Sequence, residues 1–305
     1  MSEHYSEEMK QQYIAVSVMM SRENRRVPVS GRRMTIPADG REISVVYYPA
    51  KSEHAPLILG LHGGGFLFGG NALNDPMWTA VSERLDVNIA SVGYRKSPDY
   101  RFRESLEDIL EALRYFRTNA DKFNFDPARI LTMGCSAGGN LATTFCLFAN
   151  QMGEPQIQGQ IMIYPVVDVY TDPAEKGDGS LAQPLQYLFN DLHSTREEAR
   201  LPIISPVYAD PEELKSLPDA FICVAEHDSL KTEALHYAEM LKKAGVKTTF
   251  QQADDMPHGF FETGFGNVSD EELKILGPEV EEKVKNGAAG TASAWVLDQI
   301  NDFLY

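Results

Sequence analysis

The stretch Arg129-Ile-Leu-Thr-Met133-Gly134-Cys-Ser136-Ala137-Gly138-Gly139 decides how the rest of the chain is read. Its first residues form a short apolar run of the kind found in a buried strand, and residues 137–151 read as a helix. Between them stands G-x-S-x-G, where the chain turns sharply from strand into helix and only small flanking residues fit. Such a turn strains the serine and leaves its hydroxyl exposed at a helix N-terminus, where the helix dipole stabilises developing negative charge. Taken alone, the pattern also fits a small-residue turn or a phosphate-binding loop.

Working outward, apolar runs at 57–61, 87–92, 129–133, 160–164 and 220–225, with a further strand at 247–250, alternate with helical stretches at 74–86, 104–121, 137–151 and 230–244. Apolar strands alternating with amphipathic helices predict a parallel sheet covered on both faces, a doubly wound α/β architecture. Leu106, Ile109, Leu110, Leu113 and Phe116 form one apolar helical stripe, and Gly245 follows Lys242 and Lys243 as at a helix C-terminus. Upstream, residues 5–26 read as a helix, and Met34–Ile36 with Ile43–Tyr48 as a hairpin about Pro37-Ala-Asp-Gly40. Two stretches break the alternation. Residues 170–204, rich in Pro, Gly and charge but carrying Leu181, Leu185, Tyr187, Leu188 and Phe189, are expected to be an insertion of short helices over the sheet edge. Residues 262–292 are expected to form an exposed excursion before a last helix at 292–304.

The 305 residues carry 28 basic and 44 acidic side chains, a net charge of −16, with 43% hydrophobic residues. That composition suits a soluble globular chain, and its charge repels phosphate backbones, so no nucleic-acid partner is expected. No apolar run reaches the roughly 18–20 residues that span a bilayer. The start, Met1 to Lys10, lacks the charged-then-apolar pattern of a secretory signal, and the three cysteines form no C-x-x-C pair. A reducing cytoplasm, no disulfide framework and no metal or dithiol chemistry are the expectations.

In an open α/β sheet the ligand crevice lies beyond the carboxyl ends of the strands. There His62-Gly63-Gly64-Gly65-Phe66 follows the run at 57–61. Consecutive glycines let backbone N–H groups point into a site, so those of Gly64 and Gly65, with that of Ala137, would form an oxyanion hole. A dinucleotide loop would lead straight into a helix, whereas Phe66-Leu-Phe68 follows here, and no Gly-Lys-Ser/Thr supports a P-loop.

Ser136 needs a base. Of seven histidines, His258 sits in a Pro-His-Gly loop just after the last strand; His62 is better suited to fixing the glycine loop, His236 lies mid-helix, and His4, His54 and His193 read as solvated or capping residues. The base needs a carboxylate to hold its tautomer. Asp228, at the end of a strand, is the candidate, with Glu226 and Asp168 as rivals; Asp168 suits a capping or substrate-facing role better.

Together, His62-Gly-Gly-Gly65, Tyr94-Arg-Lys-Ser-Pro98-Asp99, Gly134-Cys-Ser-Ala-Gly-Gly139, Glu226-His-Asp228-Ser-Leu230 and His258-Gly-Phe260 resemble the hormone-sensitive-lipase-like esterases of the α/β-hydrolase superfamily, collinearly from about residue 55 to 262. The resemblance implies an α/β-hydrolase fold in a single domain over 1–305, with a helical cap from about 1–30 and 170–204. It implies catalytic Ser136, Asp228 and His258, an oxyanion hole of Gly64, Gly65 and Ala137, no cofactor, and a small-molecule ester of short to medium acyl chain as substrate. Three departures stand out: Cys135 where the family has an acidic residue, Thr232 where a second acid often follows, and the long 262–292 segment. Cys135 as nucleophile is a minor alternative, since the elbow exposes its central residue. An amide or peptide hydrolase on the same triad and a non-catalytic receptor of the same fold stay open as functions, as does a homodimer.

Overall fold

A computed structural model describes residues 4–305 except 178, 180, 181, 267 and 269, and the side chains of 270–272 are also left out; the expectation for Leu181 therefore lies outside the described residues. Eight strands form one sheet: β1 (Arg32–Ala38), β2 (Arg41–Tyr48), β3 (Ala55–Leu61), β4 (Asn88–Gly93), β5 (Phe125–Cys135), β6 (Gly159–Ile163), β7 (Asp219–His227) and β8 (Thr248–Pro257). Their spatial order is β1-β2-β4-β3-β5-β6-β7-β8. Among the described residues, only the pairings of β2, with β1 and β4, are antiparallel; the others run parallel. The expected hairpin is there, with Gly40 at φ +67° in its turn. β3 and β6 are buried at every residue, which is why they read as unbroken apolar runs rather than alternating ones.

The helices are α1 (Glu7–Asn24), α2 (Asp75–Leu85), α3 (Phe102–Thr118), α4 (Ala120–Phe123), α5 (Ala137–Gln151), α6 (Gln183–His193), α7 (Pro211–Lys215), α8 (Lys231–Lys243), α9 (Phe260–Thr263), α10 (Asp270–Leu276), α11 (Pro278–Lys285) and α12 (Ala288–Leu304). One face of the sheet is covered by α3, α5 and α8 through residues such as Leu106, Leu113, Phe145, Tyr237 and Leu241. The other is covered by α2 and α12 through Trp78, Val81, Val296 and Ile300. The stripe on α3 is buried along its length, and Gly245, two residues past the end of α8, has φ +90°, the left-handed stop that its sequence signals. Two layers of helices thus seal the sheet and leave the carboxyl ends of its strands as the accessible edge.

The final strand, read at 247–250 with a polar end at 253–255, is β8 and runs to Pro257: Gln251, Gln252 and Ala253 pair with β7, and past an irregularity Pro257 pairs with His227. Two expectations need correction. The 170–204 segment does not lie over the sheet edge but over the crevice, with Phe189 against the glycine loop and Gln186 donating to Ser229 Oγ at 3.2 Å. The 262–292 segment is not a mere exposed excursion: it folds into α10 and α11, buries Val280 and brings Ile275 and Leu276 back to the crevice.

A third apolar cluster sits above the sheet. Met20 of α1 packs with Leu67, Phe68, Leu185 and Phe189, and Tyr13, Leu192 and Ile275 lie against them. The N-terminal helix and α6 thereby meet each other and the loop after β3. A buried ion pair, Lys176 Nζ to Glu233 Oε2 at 2.7 Å, ties the 170–204 segment to α8.

Candidate active site

The turn from β5 into α5 places Ser136 at φ 56° and ψ −119°. For a residue with a Cβ this costs about 1–3 kcal/mol, so the surroundings must enforce it. They do so with main-chain bonds: Ser136 N–H donates to Ile163 O at 2.9 Å, and its carbonyl accepts from Asn140 N–H at 3.0 Å. The small flanks are a steric requirement. A Cβ on Gly134 would lie 2.3 Å from the Gly138 carbonyl, and one on Gly138 would lie 2.1 Å from Leu61 O. The buried Asn140 amide donates to Val166 O and Ile204 O, each at 2.8 Å, linking the elbow to the segment that returns from above the crevice.

From the far end of the sheet, β8 delivers His258 and β7 delivers Asp228. His258 Nε2 lies 2.9 Å from Ser136 Oγ, and Nδ1 lies 2.6 Å from Asp228 Oδ2. The other oxygen of Asp228 accepts from Leu230 N–H at 2.9 Å, which fixes the carboxylate plane. Asp228 and His258 are both buried, and Ser136 keeps a sliver of exposure at 8%. The Tyr164 ring stands 4.8 Å from that of His258.

The rival carboxylates are engaged elsewhere. Glu226 accepts from Asp255 N–H at 2.7 Å, and Asp168 caps its own turn by accepting from Tyr170 and Thr171 N–H. His62 supports the glycine loop as expected. It is stacked on Tyr94 at 4.2 Å, with Nδ1 2.9 Å from Gly63 O, and burial, with Lys96 nearby, pushes its pKa down to about 3. His193 departs from expectation. It is neither solvated nor a surface cap but 1% exposed, stacked on Phe66 at 3.5 Å, and its pKa also falls to about 3 by burial and the Arg101 charge. Among the described residues its Nε2 has no hydrogen-bond partner.

Gly64 and Gly65 adopt φ +112° and +59° in the loop after β3. The Gly64 carbonyl accepts from Leu67 and Phe68 N–H, while no backbone acceptor among the described residues takes the N–H of Gly64, Gly65 or Ala137. A Cβ at Gly64 would meet the Phe68 backbone at 2.7 Å. Cys135 points to the opposite side, into the core beneath the sheet, and burial pushes its thiol well above the usual range. A buried thiol held neutral is a poor nucleophile.

Beside the glycine loop opens a pocket of about 110 Å³, lined by Met20, Phe68, Leu73, Met77, Ile275 and Leu276 together with Gly63, Gly64, Gly259, Asn74, Thr263 and Glu262. Sequence reasoning missed two of the groups here. Tyr164, the first residue after β6, donates its hydroxyl to Glu262 Oε2 and accepts from Phe261 N–H at 3.1 Å. Glu262 lies four residues beyond His258, one helical turn on, which was the signal available. Among the described residues no group of three or more His, Cys, Asp or Glu side chains could hold a metal ion, and no helix is long and apolar enough to cross a membrane.

A serine strained at a strand-to-helix elbow, met by a histidine and an aspartate from later strands of a mostly parallel sheet, defines an α/β-hydrolase. Residues 58–262 match the model of a family described by its alpha/beta hydrolase fold. The chain belongs to that family, in its hormone-sensitive-lipase-like branch. It is 30% identical over 227 residues to carboxylesterase NlhH of Mycobacterium tuberculosis, covering 72% of this chain and 70% of the relative. To an arylesterase of Saccharolobus solfataricus it is 29% identical over 238 residues, covering 75% and 76%. Among solved structures, EstE1, a thermostable carboxylesterase cloned from a metagenomic library, superposes with a TM-score of 0.73 at 32% identity, covering 94% of this chain and 99% of that one.

Proposed function

We propose that this chain is a serine-dependent carboxylic ester hydrolase in which Ser136 is the nucleophile, His258 the general base and acid, and Asp228 the group that orients the imidazole. The observation that carries the reading is the unbroken relay of 2.9 Å from Ser136 Oγ to His258 Nε2 and 2.6 Å from His258 Nδ1 to Asp228 Oδ2. Oγ attacks the ester carbonyl while His258 Nε2 takes its proton, and Asp228 stabilises the imidazolium. The N–H groups of Gly64, Gly65 and Ala137 receive the oxyanion, and each such donor is worth about 3–4 kcal/mol in the transition state. His258 returns the proton to the departing alcohol. Water then attacks the acyl-enzyme by the same steps, so one ester and one water give one acid and one alcohol.

In this reading α1 and the 170–204 segment act as a cap on a single α/β domain, and their packing on Leu67 and Phe68 shapes the entrance. A pocket of about 110 Å³ suits a short to medium acyl chain. The three cysteines are free and buried, which agrees with a reducing cytoplasm as the setting. Turnover of p-nitrophenyl acetate and butyrate by the purified chain and by Ser136→Ala tests the assignment. The wild type should turn over both and the variant neither, with an unchanged circular dichroism spectrum; retained turnover in the variant would remove Ser136 from its role.

A further inference from the structure

Between residues 9 and 38 the chain carries six basic side chains and one acid, Glu23, although its net charge is −16. Three of the six, Arg22, Arg25 and Arg26, crowd the end of α1 and are exposed. Among the described residues none of these three is ion-paired, whereas all three arginines of α3, Arg103, Arg114 and Arg117, are. The Arg33 guanidinium adjoins them, donating to Val27 O at 2.6 Å. Lys96 Nζ comes within 3.4 Å of Ser21 Oγ on the same helix, and burial, with the Arg25 charge nearby, pushes its pKa down. Like charges gathered with so little compensation repel one another, and an anionic surface supplied from outside relieves that repulsion.

Exposed apolar side chains stand beside these cations. Val18 and Met19 are each 46% exposed. Helical spacing puts both next to Arg22, and Arg22 next to Arg25 and Arg26. A free phosphate has no use for the apolar pair, whereas apolar side chains flanked by arginines match the boundary between lipid headgroups and acyl chains. The opposite face of α1 is tied down: Ser17 Oγ donates to Leu67 O at 2.6 Å, and the Asn24 amide donates to Asn71 Oδ1 at 2.9 Å. Met20 lines the pocket beside the glycine loop, so one helix diameter, about 10 Å, separates that pocket from the outer face of α1.

We propose that the outer face of α1 docks on an anionic lipid surface, its arginines meeting the headgroups while Val18 and Met19 enter the acyl boundary. The acidic remainder of the chain then turns away from the surface, which orients the approach. This contact stands independently of the esterase reading.

The test is co-sedimentation of the full chain with vesicles of equimolar phosphatidylglycerol and phosphatidylcholine, and with vesicles of phosphatidylcholine alone. The wild type should bind the mixed vesicles at least about tenfold more tightly than the neutral ones, and added salt should weaken that binding. Arg22→Gln/Arg25→Gln/Arg26→Gln should weaken it by about tenfold or more, and Val18→Ser/Met19→Ser by about fivefold or more. All five side chains are exposed, so both variants should keep the wild-type circular dichroism spectrum. A wild type that ignores the mixed vesicles overturns the proposal, as does full binding by the arginine variant. Full binding by Val18→Ser/Met19→Ser overturns it too, leaving a purely electrostatic contact. Binding to polyglutamate without binding to vesicles would assign the patch to an acidic protein instead, and would equally overturn it.

Discussion

Phe189 lies so close to Gly65 that a methyl group on the glycine would meet its ring at 2.3 Å. The loop expected to receive the oxyanion is therefore clamped by a residue 124 positions away in sequence, and Gly65 itself sits at φ +59°. Gly65→Ala should strain the backbone and displace the loop. We expect kcat/KM for a short acyl ester to fall by about 10²-fold or more. Gly65→Ala combined with Phe189→Ala should recover part of the loss, since only the backbone strain then persists. Wild-type kinetics in Gly65→Ala would separate this loop from catalysis.

Asp228 accepts from both His258 and the Leu230 amide. Asp228→Asn keeps the volume but favours the wrong imidazole tautomer, and should lower kcat by about 10⁴-fold with little change in KM. Steady-state kinetics on p-nitrophenyl butyrate decides this; a loss confined to KM would point to a binding role.

The two buried histidines predict a pH dependence of stability. His62 and His193 have pKa values near 3 in the fold, below the ordinary value near 6.5 that an unfolded chain shows. Between those values the unfolded chain binds more protons, so the stabilising contribution is complete above about pH 6.5 and is lost as pH falls toward 3. Urea unfolding from pH 7 to 4 should show this loss. In His193→Phe, which keeps the stack on Phe66, the slope should be shallower by up to roughly 1.4 kcal/mol per pH unit. An unchanged slope would contradict the buried, neutral state of His193.

Lys176 and Glu233 pair where both side chains are almost wholly covered, at 5% and 10% exposure. Burial pushes the Glu233 carboxyl up, and the Lys176 charge opposes that shift. Lys176→Met should destabilise the fold at pH 7 by about 3–5 kcal/mol, because it strands a buried carboxylate. Adding Glu233→Gln should restore much of the loss, as measured by urea unfolding. A Lys176→Met variant as stable as the wild type would mean that the pair does not anchor the 170–204 segment.

Much of this was legible in the sequence because the relevant signals are local. β3 and β5 contain short apolar runs, and each hands its chain to a turn whose residues, Gly64 and Ser136, stand at the crevice. Ser136, Asp228 and His258 could be chosen one at a time from their positions after strands. What depends on long-range packing was not legible. His193 looks like any polar residue at a helix end, and only the docking of α6 on Phe66 buries it. The apolar residues Ile275, Leu276 and Val280 are diluted by the surrounding acids, so their return to the fold left no periodic signature. Glu262 fell inside the stretch expected to be exposed, and its bond to Tyr164 joins residues 98 apart.

The most direct test of the central claim is intact-mass and peptide mass spectrometry after reaction with diethyl p-nitrophenyl phosphate. The account predicts one diethylphosphoryl adduct per chain, on Ser136, formed in step with loss of esterase activity and absent in Ser136→Ala. An adduct on another residue, such as Cys135, or ester hydrolysis that continues with Ser136 blocked, would contradict it.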